Sequence, residues 1–536
     1  MFGGPFQLFK LEVKAVVHAG GIDEIRVRSI VTAKRYGTKC QTIGPYITIQ
    51  AVYTTLYHRR TLALRYMPDI SVFLRTPLLV RWRIFVVLAL YGIYLPLSDY
   101  LPGQFRFDAA EYWELSLKFT QHGHFSLLAF DSPLRGYLGP LLVLPARLLC
   151  HFTGWSMLSG ARVLGAGWAA LLFGLAIPAL WAWVAGRPLT ALRWLGLLSL
   201  TFLFWRDYFN FTLSDMPALT LLLLGVGVLG RPGWAWAGVA GLLVAAAINI
   251  RPIYLASVPG VLWLLMGAER SPAQQLRRVA ILAVGAALVL LPQWRINRQY
   301  FQRNTPLVLA QLAGGRPLYL KQLAWGTRYQ RYESSLIPAI PRSLVFADPA
   351  GQRALAAEPG GSFASYGQYL RFVLRQPVAT SGRYLQHLFN GLDIWFPTPY
   401  PKQLHPVGQV PLRLLNYALL GMGSWLGIAA LGRYRRLQEN STGCPAVVAA
   451  VLLALLLPCM LALPTLVESR FMLPLHLLML TGIAGCWQPG AWWEQLGSPV
   501  RRLAVLGLAL GWLWGCWQLS EATARQLRPP NEAPQE

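Results

Sequence analysis

Residues 166–184 read AGWAALLFGLAIPALWAWV, from Ala166 to Val184 without a charged side chain, and the run is closed by Arg187 and Pro188. A hydrocarbon core about 30 Å thick needs roughly 20 mostly apolar residues in helical form, and this stretch supplies them. Comparable runs recur at Met216–Gly230, Val279–Leu291, Val447–Leu463 and Leu503–Trp517, the shorter ones extended by less apolar flanks. The pattern predicts an all-α, multi-spanning membrane protein.

Composition agrees. Of 536 residues, 55% are hydrophobic and 13% charged, about half the charged fraction of a soluble domain. A net charge of +26 would suggest nucleic acid in a soluble chain. Here the arginines sit mostly in short loops between apolar runs, which is the positive-inside pattern. The lipid bilayer is therefore the expected partner, and nucleic acid is not. The six cysteines show no metal-ligand or redox spacing, so neither a zinc site nor a disulfide framework is expected.

Residues 1–66 hold no spanning run and lack the apolar stretch of a signal peptide. They read as a disordered extension or a segment outside the mature protein, with a small cytoplasmic domain as the other reading. Met67 then opens a plausible start, with Arg75, Arg81 and Arg83 ahead of the first apolar run. These arginines place the N-terminus on the cytoplasmic side.

Threading gives about eleven spans, at residues 84–97, 161–184, 194–209, 216–230, 233–248, 252–267, 279–291, 409–430, 445–463, 471–487 and 503–519. Leu138–Cys150 is apolar but broken by Pro140, Pro145 and Arg147. It reads as lying flat at the interface, because spanning would turn the basic loop at 187–193 outward. The chain thus divides into a transmembrane module at 67–292, a large outer loop at 293–408, C-terminal helices at 409–520 and a polar tail at 521–536. The first outer loop is helical.

Four groups of residues at outer span ends call for explanation, since ionisable groups near the membrane are costly. The first is Phe107-Asp108-Ala109-Ala110-Glu111-Tyr112-Trp113-Glu114. On a helix Asp108 shares a face with Glu111 and Tyr112. A carboxylate near apolar surroundings can have a raised pKa and act as a base, or the segment is merely a solvated amphipathic helix. The second is Arg206-Asp207 through Asp215-Met216-Pro217, where Asp215 either caps a span or serves the site. In the third, Asn249-Ile250-Arg251-Pro252, Arg251 either binds an anion such as phosphate or snorkels. The fourth, Pro464 through Pro474, sets Glu468 and Arg470 in one turn, as a functional couple or a local ion pair.

Together these groups resemble the membrane glycosyltransferases of the GT-C fold, similar to the bacterial protein-mannosyltransferase and aminoarabinose-transferase group. The resemblance covers roughly residues 84–490. That family carries Asp-Glu-x-x-Tyr in its first outer loop. Asp108 and Tyr112 match, Ala109 stands at the second acidic position, and Glu111 is displaced by two. Arg135–Pro145, Phe152-Thr153-Gly154 and Ala161-Arg162-Val163-Leu164 follow the family's order, and Asp215 matches the Asp that opens a later span. Glu468-Ser469-Arg470-Phe471-Met472-Leu473-Pro474 is similar to the late Glu-x-Arg-Tyr-x-x-Pro pattern.

The resemblance implies transfer of one sugar, with inversion, from a polyprenyl-phosphate donor to a glycan, lipid or protein acceptor. The site would face the periplasm or cell exterior from the inner or plasma membrane. It implies Asp108 as base with Glu111 as helper, Arg251 and Arg470 on the leaving phosphate, Glu468 orienting Arg470, and Tyr112 and Asp215 in substrate binding. No metal or other cofactor is implied. The main rival is a transporter or flippase of lipid-linked sugars. It is disfavoured because carboxylates are scarce at mid-span and no inverted repeat is evident.

Overall fold

A computed structural model describes residues 74–528 and two short strands at 11–15 and 25–29, except for 121–123, 268–270, 313, 341, 439–443, 487, 489, 491–493 and 495–496. The chain divides into Met1–Ile70 and Ser71–Glu536. In the first unit β1 (Leu11–Ala15) and β2 (Ile25–Ser29) pair antiparallel, Leu11 opposite Ser29. The expectation of a disordered or absent extension at 1–66 otherwise lies outside the described residues, as does the basic loop position Arg270.

The second unit is a helical membrane protein. Among the described residues five helices are long and apolar enough to cross a bilayer: α1 (Val80–Leu97), α4 (Met157–Val184), α9 (Pro272–Phe301), the stretch Ser469–Cys486 containing α16 (Leu473–Cys486), and α17 (Pro499–Ala524). Shorter apolar helices stand among them: α3 (Leu138–Thr153), α6 (Asp215–Val228), α7 (Ala235–Ile250), the segment Pro252–Gly267 containing α8 (Val258–Gly267), and α15 (Cys444–Ala462). Two further helices, α5 (Ala191–Trp205) and α14 (Gln409–Gln438), complete the bundle. The short helix α2 (Phe107–Leu115) precedes α3.

Lipid tails are as apolar as leucine, so helix association in a bilayer rests on close packing and interhelical hydrogen bonds. Both occur here. A Cβ on Gly241 of α7 would collide with the Leu282 carbonyl of α9, and one on Gly285 of α9 with the Gly238 carbonyl of α7. Several buried polar groups satisfy one another. Trp205 Nε1 donates to His476 Nδ1 at 3.0 Å, His476 Nε2 meets Asn416 Oδ1 at 3.1 Å, and Asn416 Nδ2 donates to the Leu392 carbonyl at 2.7 Å.

Helix α3 starts where a Cβ on Gly139 would lie 3.9 Å from Ile250, at the end of α7, and finishes with Cys150 against Gly160, near the start of α4. α3 thus packs between the end of α7 and the start of α4.

Three expectations need correction. The apolar part of α9 ends near residue 291, but the helix continues to Phe301 because its polar residues Gln293 and Asn297 are buried and bonded, so the large loop starts after 301 and not at 293. The loop itself is folded and not purely α. It holds α10 (Leu318–Arg328), a hairpin of β3 (Tyr329–Ser334) and β4 (Ser343–Ala347), α11 (Pro349–Ala356), α12 (Tyr366–Arg375) and α13 (Pro377–Leu392). Tyr329 pairs with Ala347 and Ser334 with Ser343, and all of β4 is buried. Finally, the polar segment expected from 521 begins inside a helix. Helix α17 runs to Ala524, then Arg528 N donates to the Val345 carbonyl at 2.9 Å and Ala347 N to the Gln526 carbonyl at 2.9 Å. An exposed strand edge offers such unpaired groups.

Replacing Gly241 by Leu is expected to lower the thermal unfolding midpoint of the detergent-solubilised protein by several degrees, because the α7–α9 contact leaves no room for a side chain. Gly227→Ala, where nothing lies within 4 Å, should leave it unchanged or raised. Differential scanning fluorimetry of both variants checks this.

Candidate active site at one end of the bundle

Helix α2 starts at Phe107, whose φ of 57° is rare for a bulky residue. The ring lies 5.3 Å from that of Tyr400. This strained turn sets the direction of α2 and with it Asp108 and Glu111, which share a face as their spacing predicts. Strain of this kind persists only where its surroundings hold it and is concentrated at functional sites.

Asp108 Oδ2 lies 2.8 Å from Arg470 Nη2, and Asp108 Oδ1 lies 3.0 Å from Arg135 Nη2. Glu111 Oε2 accepts from Arg135 Nη2 at 2.7 Å and from Nε at 3.2 Å. Arg135 also lies over the Tyr112 ring, 5.2 Å from its centre. Deeper in the same cluster, Asp215 pairs with Arg251 and stands 3.7 Å from Arg470 Nη1. Glu468 Oε2 holds Arg470 Nε at 2.7 Å. The Phe471 ring lies under both arginines, with centroid distances of 5.2 Å to Arg251 and 5.8 Å to Arg470.

All seven predicted site residues thus meet at one end of the bundle, drawn from the four separate sequence groups. Asp215 is 1% exposed and Glu111 33%, so the cluster grades from a buried floor to an accessible rim. Ala109 is fully buried, its carbonyl accepting from Thr212 Oγ1 at 2.7 Å. A carboxylate there would be sealed inside, and Glu111 supplies the second rim carboxylate instead. Other charged residues lie elsewhere. Asp207 accepts from the Tyr94 hydroxyl at 2.7 Å in a separate polar cluster. Arg298 stacks on Trp294 at 5.6 Å. In Asp393-Ile394-Trp395, Asp393 is a buried node bonded to Tyr417 at 3.0 Å and Trp395 Nε1 at 2.6 Å, so this motif holds the fold and does not line the site.

The expectation of a raised Asp108 pKa is overturned. Burial works against its charge, but the guanidiniums of Arg470 and Arg135 outweigh that and hold its carboxyl well below the ordinary range. Asp108 is ionised at any working pH and is a weak base while both arginines hold it. The raised carboxyl is Glu468. Burial pushes it up although Arg470 stands beside it, and the charges of Asp108 and Glu333 add to the rise.

Sequence reasoning missed Arg135. It sits in Ser132-Pro133-Leu134-Arg135-Gly136, a turn whose partners are remote in sequence. Gly136 is required there because a Cβ would collide with Asn249, whose Oδ1 accepts from Leu138 N at 2.9 Å. Asn249 Nδ2 in turn donates to Gln293 at 2.9 Å. The turn carrying Arg135 is thereby latched to the turn carrying Arg251. Also missed was Arg331, buried behind the cluster. It pairs with Glu333 at 2.9 Å, and Ser469, next to Arg470, donates to the same carboxylate at 2.7 Å.

Two pockets flank the charges. One is largely apolar and lined by Tyr112, Gly139, Val143, Tyr208, Met216 and Ile250 among others. The other has Arg251 and Arg470 at one side and Ile253, Tyr254, Pro458, Phe471 and Pro474 around the rest. A slot with two guanidiniums in an apolar wall suits an amphiphilic anion. Among the described residues no three His, Cys, Asp or Glu side chains group as a metal site; each carboxylate of the cluster faces an arginine. The chain matches no known family model, and no curated protein sequence matches it.

Removing one partner of a buried pair leaves the other charge uncompensated, at about 3–5 kcal/mol, whereas an exposed pair is worth about 1 kcal/mol or less. Asp215→Ala is therefore expected to destabilise the protein far more than Glu111→Gln. Thermal unfolding of the two variants in one detergent checks the order.

Proposed function

We propose that the chain is an inverting glycosyltransferase that moves a single sugar from a polyprenyl-phosphate donor to an acceptor at the outer face of the membrane. The observation that carries this reading is the arginine-lined slot of Arg251 and Arg470, set beside the partly exposed carboxylates Asp108 and Glu111. About eleven crossings, with the cluster outside, remain the topology most consistent with the basic loops.

On this reading the donor phosphate lies against Arg251 and Arg470, with its isoprenyl tail along the apolar wall of that slot. The acceptor hydroxyl attacks the anomeric carbon from the opposite side. Its proton passes to Asp108, the bond from anomeric carbon to phosphate oxygen breaks, and the electron pair leaves with the phosphate. The two guanidiniums stabilise the charge that builds there. A phosphate on Arg470 also competes with Asp108 for the same N–H groups. That competition loosens the hold that keeps Asp108 weakly basic, so donor binding itself prepares the base. Tyr112 and Asp215 shape the floor on which the sugar rests, and Glu468 orients Arg470.

Purified protein is expected to consume a synthetic polyprenyl-phosphate sugar, and Asp108→Asn to lose that activity while remaining folded. Arg251→Ala and Arg470→Ala should each lose about 100-fold or more in kcat/KM, the scale of losing a group that stabilises transition-state charge. No consumption of any donor in a broad panel, with lipid-linked sugar crossing liposomes instead, contradicts the reading.

The raised Glu468 carboxyl gives a pH prediction. Below its pKa it is neutral, so Arg470 faces one anion fewer and holds phosphate more tightly; above it, the charge returns and competes. KM for the donor should rise as pH climbs through the Glu468 titration, and Glu468→Gln should flatten that rise. Initial rates across pH for the wild type and the variant check it.

A further inference from the structure

In the folded loop, α12 and α13 make a helical hairpin whose inner side is accounted for. Phe372 packs with Leu320, Leu323, Leu355 and Phe363. Tyr384, Leu388 and Phe389 of α13 pack against Cys459, Ala462 and Leu463 at the end of α15. The outer side is apolar and uncovered. Leu370 and Leu374 stand one turn apart on α12, Val378 and Leu385 two turns apart on α13. Leu374 is 68% exposed and Val378 85%. A face of this kind in water would be an unusual liability.

Its charges point to what covers it. Between Glu358 and Asp393 the chain holds no acidic residue. Arg383 is buried against Asp348 at 2.7 Å, which leaves Arg371 and Arg375 as the exposed cations. Arg375 is 70% exposed, with only a long 3.8 Å approach to Glu358. Its position points the same way. Tyr319 OH donates to the Leu461 carbonyl at 2.8 Å, and the Tyr319 ring lies 6.3 Å from that of Tyr366, which opens α12. His387 Nδ1 of α13 lies 2.6 Å from the Leu463 carbonyl. Met460 and Leu461, in the last turn of the apolar helix α15, are themselves exposed. The stripe therefore continues the lipid-facing surface just where α15 ends, at the depth of headgroups, among tyrosines of the kind that favour that depth.

We propose that the α12–α13 hairpin is a foot resting on the protein's own membrane, with Leu370, Leu374, Val378 and Leu385 in the acyl boundary and Arg371 and Arg375 on the phosphates of anionic lipids. Apolar residues on one face and arginines beside them are what interfacial helices use, and each cation near an anionic surface adds to the attraction. The foot fixes the height of the loop module above the bilayer, whatever chemistry the charged cluster performs.

The test uses the full-length chain in nanodiscs. Leu374→Cys, Val378→Cys and, as a control on α11, the exposed Ala356→Cys are each labelled with an NBD maleimide, and the signal of the unsubstituted protein is subtracted. Labels at 374 and 378 should be quenched by lipids carrying a nitroxide near the headgroup and resist aqueous iodide several-fold better than the label at 356. Lipid quenching should be greater in phosphatidylglycerol than in phosphatidylcholine, and Arg371→Gln with Arg375→Gln should erase that difference. Free quenching by iodide at 374 and 378 would mean a solvent face, and protection from both quenchers a protein cover. Either result overturns the foot, as does equal lipid quenching in the two bilayers by the unsubstituted arginines.

Discussion

The Arg470 guanidinium is the interaction on which the site depends. It reaches Asp108 on α2, Asp215 at the start of α6 and Glu468 in its own turn. A buried guanidinium without partners costs several kcal/mol, so these carboxylates cannot drift apart cheaply. The helices carrying them are fixed by other means: glycine contacts between α7 and α9, the packing of α3 between the end of α7 and the start of α4, and amide bonds from Asn249 to Leu138 and Gln293. Apolar packing sets the frame, and the charges choose one arrangement within it.

The cluster holds four carboxylates, Asp108, Glu111, Asp215 and Glu468, against three guanidiniums, Arg135, Arg251 and Arg470. With all of them ionised it carries an excess negative charge, which opposes a phosphate. The raised carboxyl of Glu468 relieves that excess in the direction an anionic ligand requires. An arginine already bonded to carboxylates is also preorganised. Its fork is held in place, and an incoming phosphate exchanges one oxyanion for another with little reorganisation.

Much of this was legible in the sequence. Apolar runs such as Ala166–Val184 read as membrane helices because length and composition alone decide that. Asp108, Asp215, Arg251 and Arg470 stood out because charges at the ends of apolar runs are costly. Arg135 was not legible as a partner, since a turn between Pro133 and Gly136 shows nothing of what it faces. The sign of the Asp108 shift was hidden for the same reason: burial raises a carboxyl and nearby guanidiniums lower it, and only geometry tells which wins. The β3–β4 hairpin escaped because its strands lie in a segment that apolar periodicity marks only as loop.

The central claim is that Arg251 and Arg470 form the seat of a lipid-borne phosphate. Thermal unfolding of the purified protein with a short polyprenyl phosphate, and with the matching polyprenol, tests it most directly. The account predicts that the phosphate raises the unfolding midpoint and the alcohol does not, and that Arg251→Gln abolishes the difference while keeping its own sharp transition. Equal stabilisation by phosphate and alcohol, or an undiminished phosphate effect in Arg251→Gln, would contradict it.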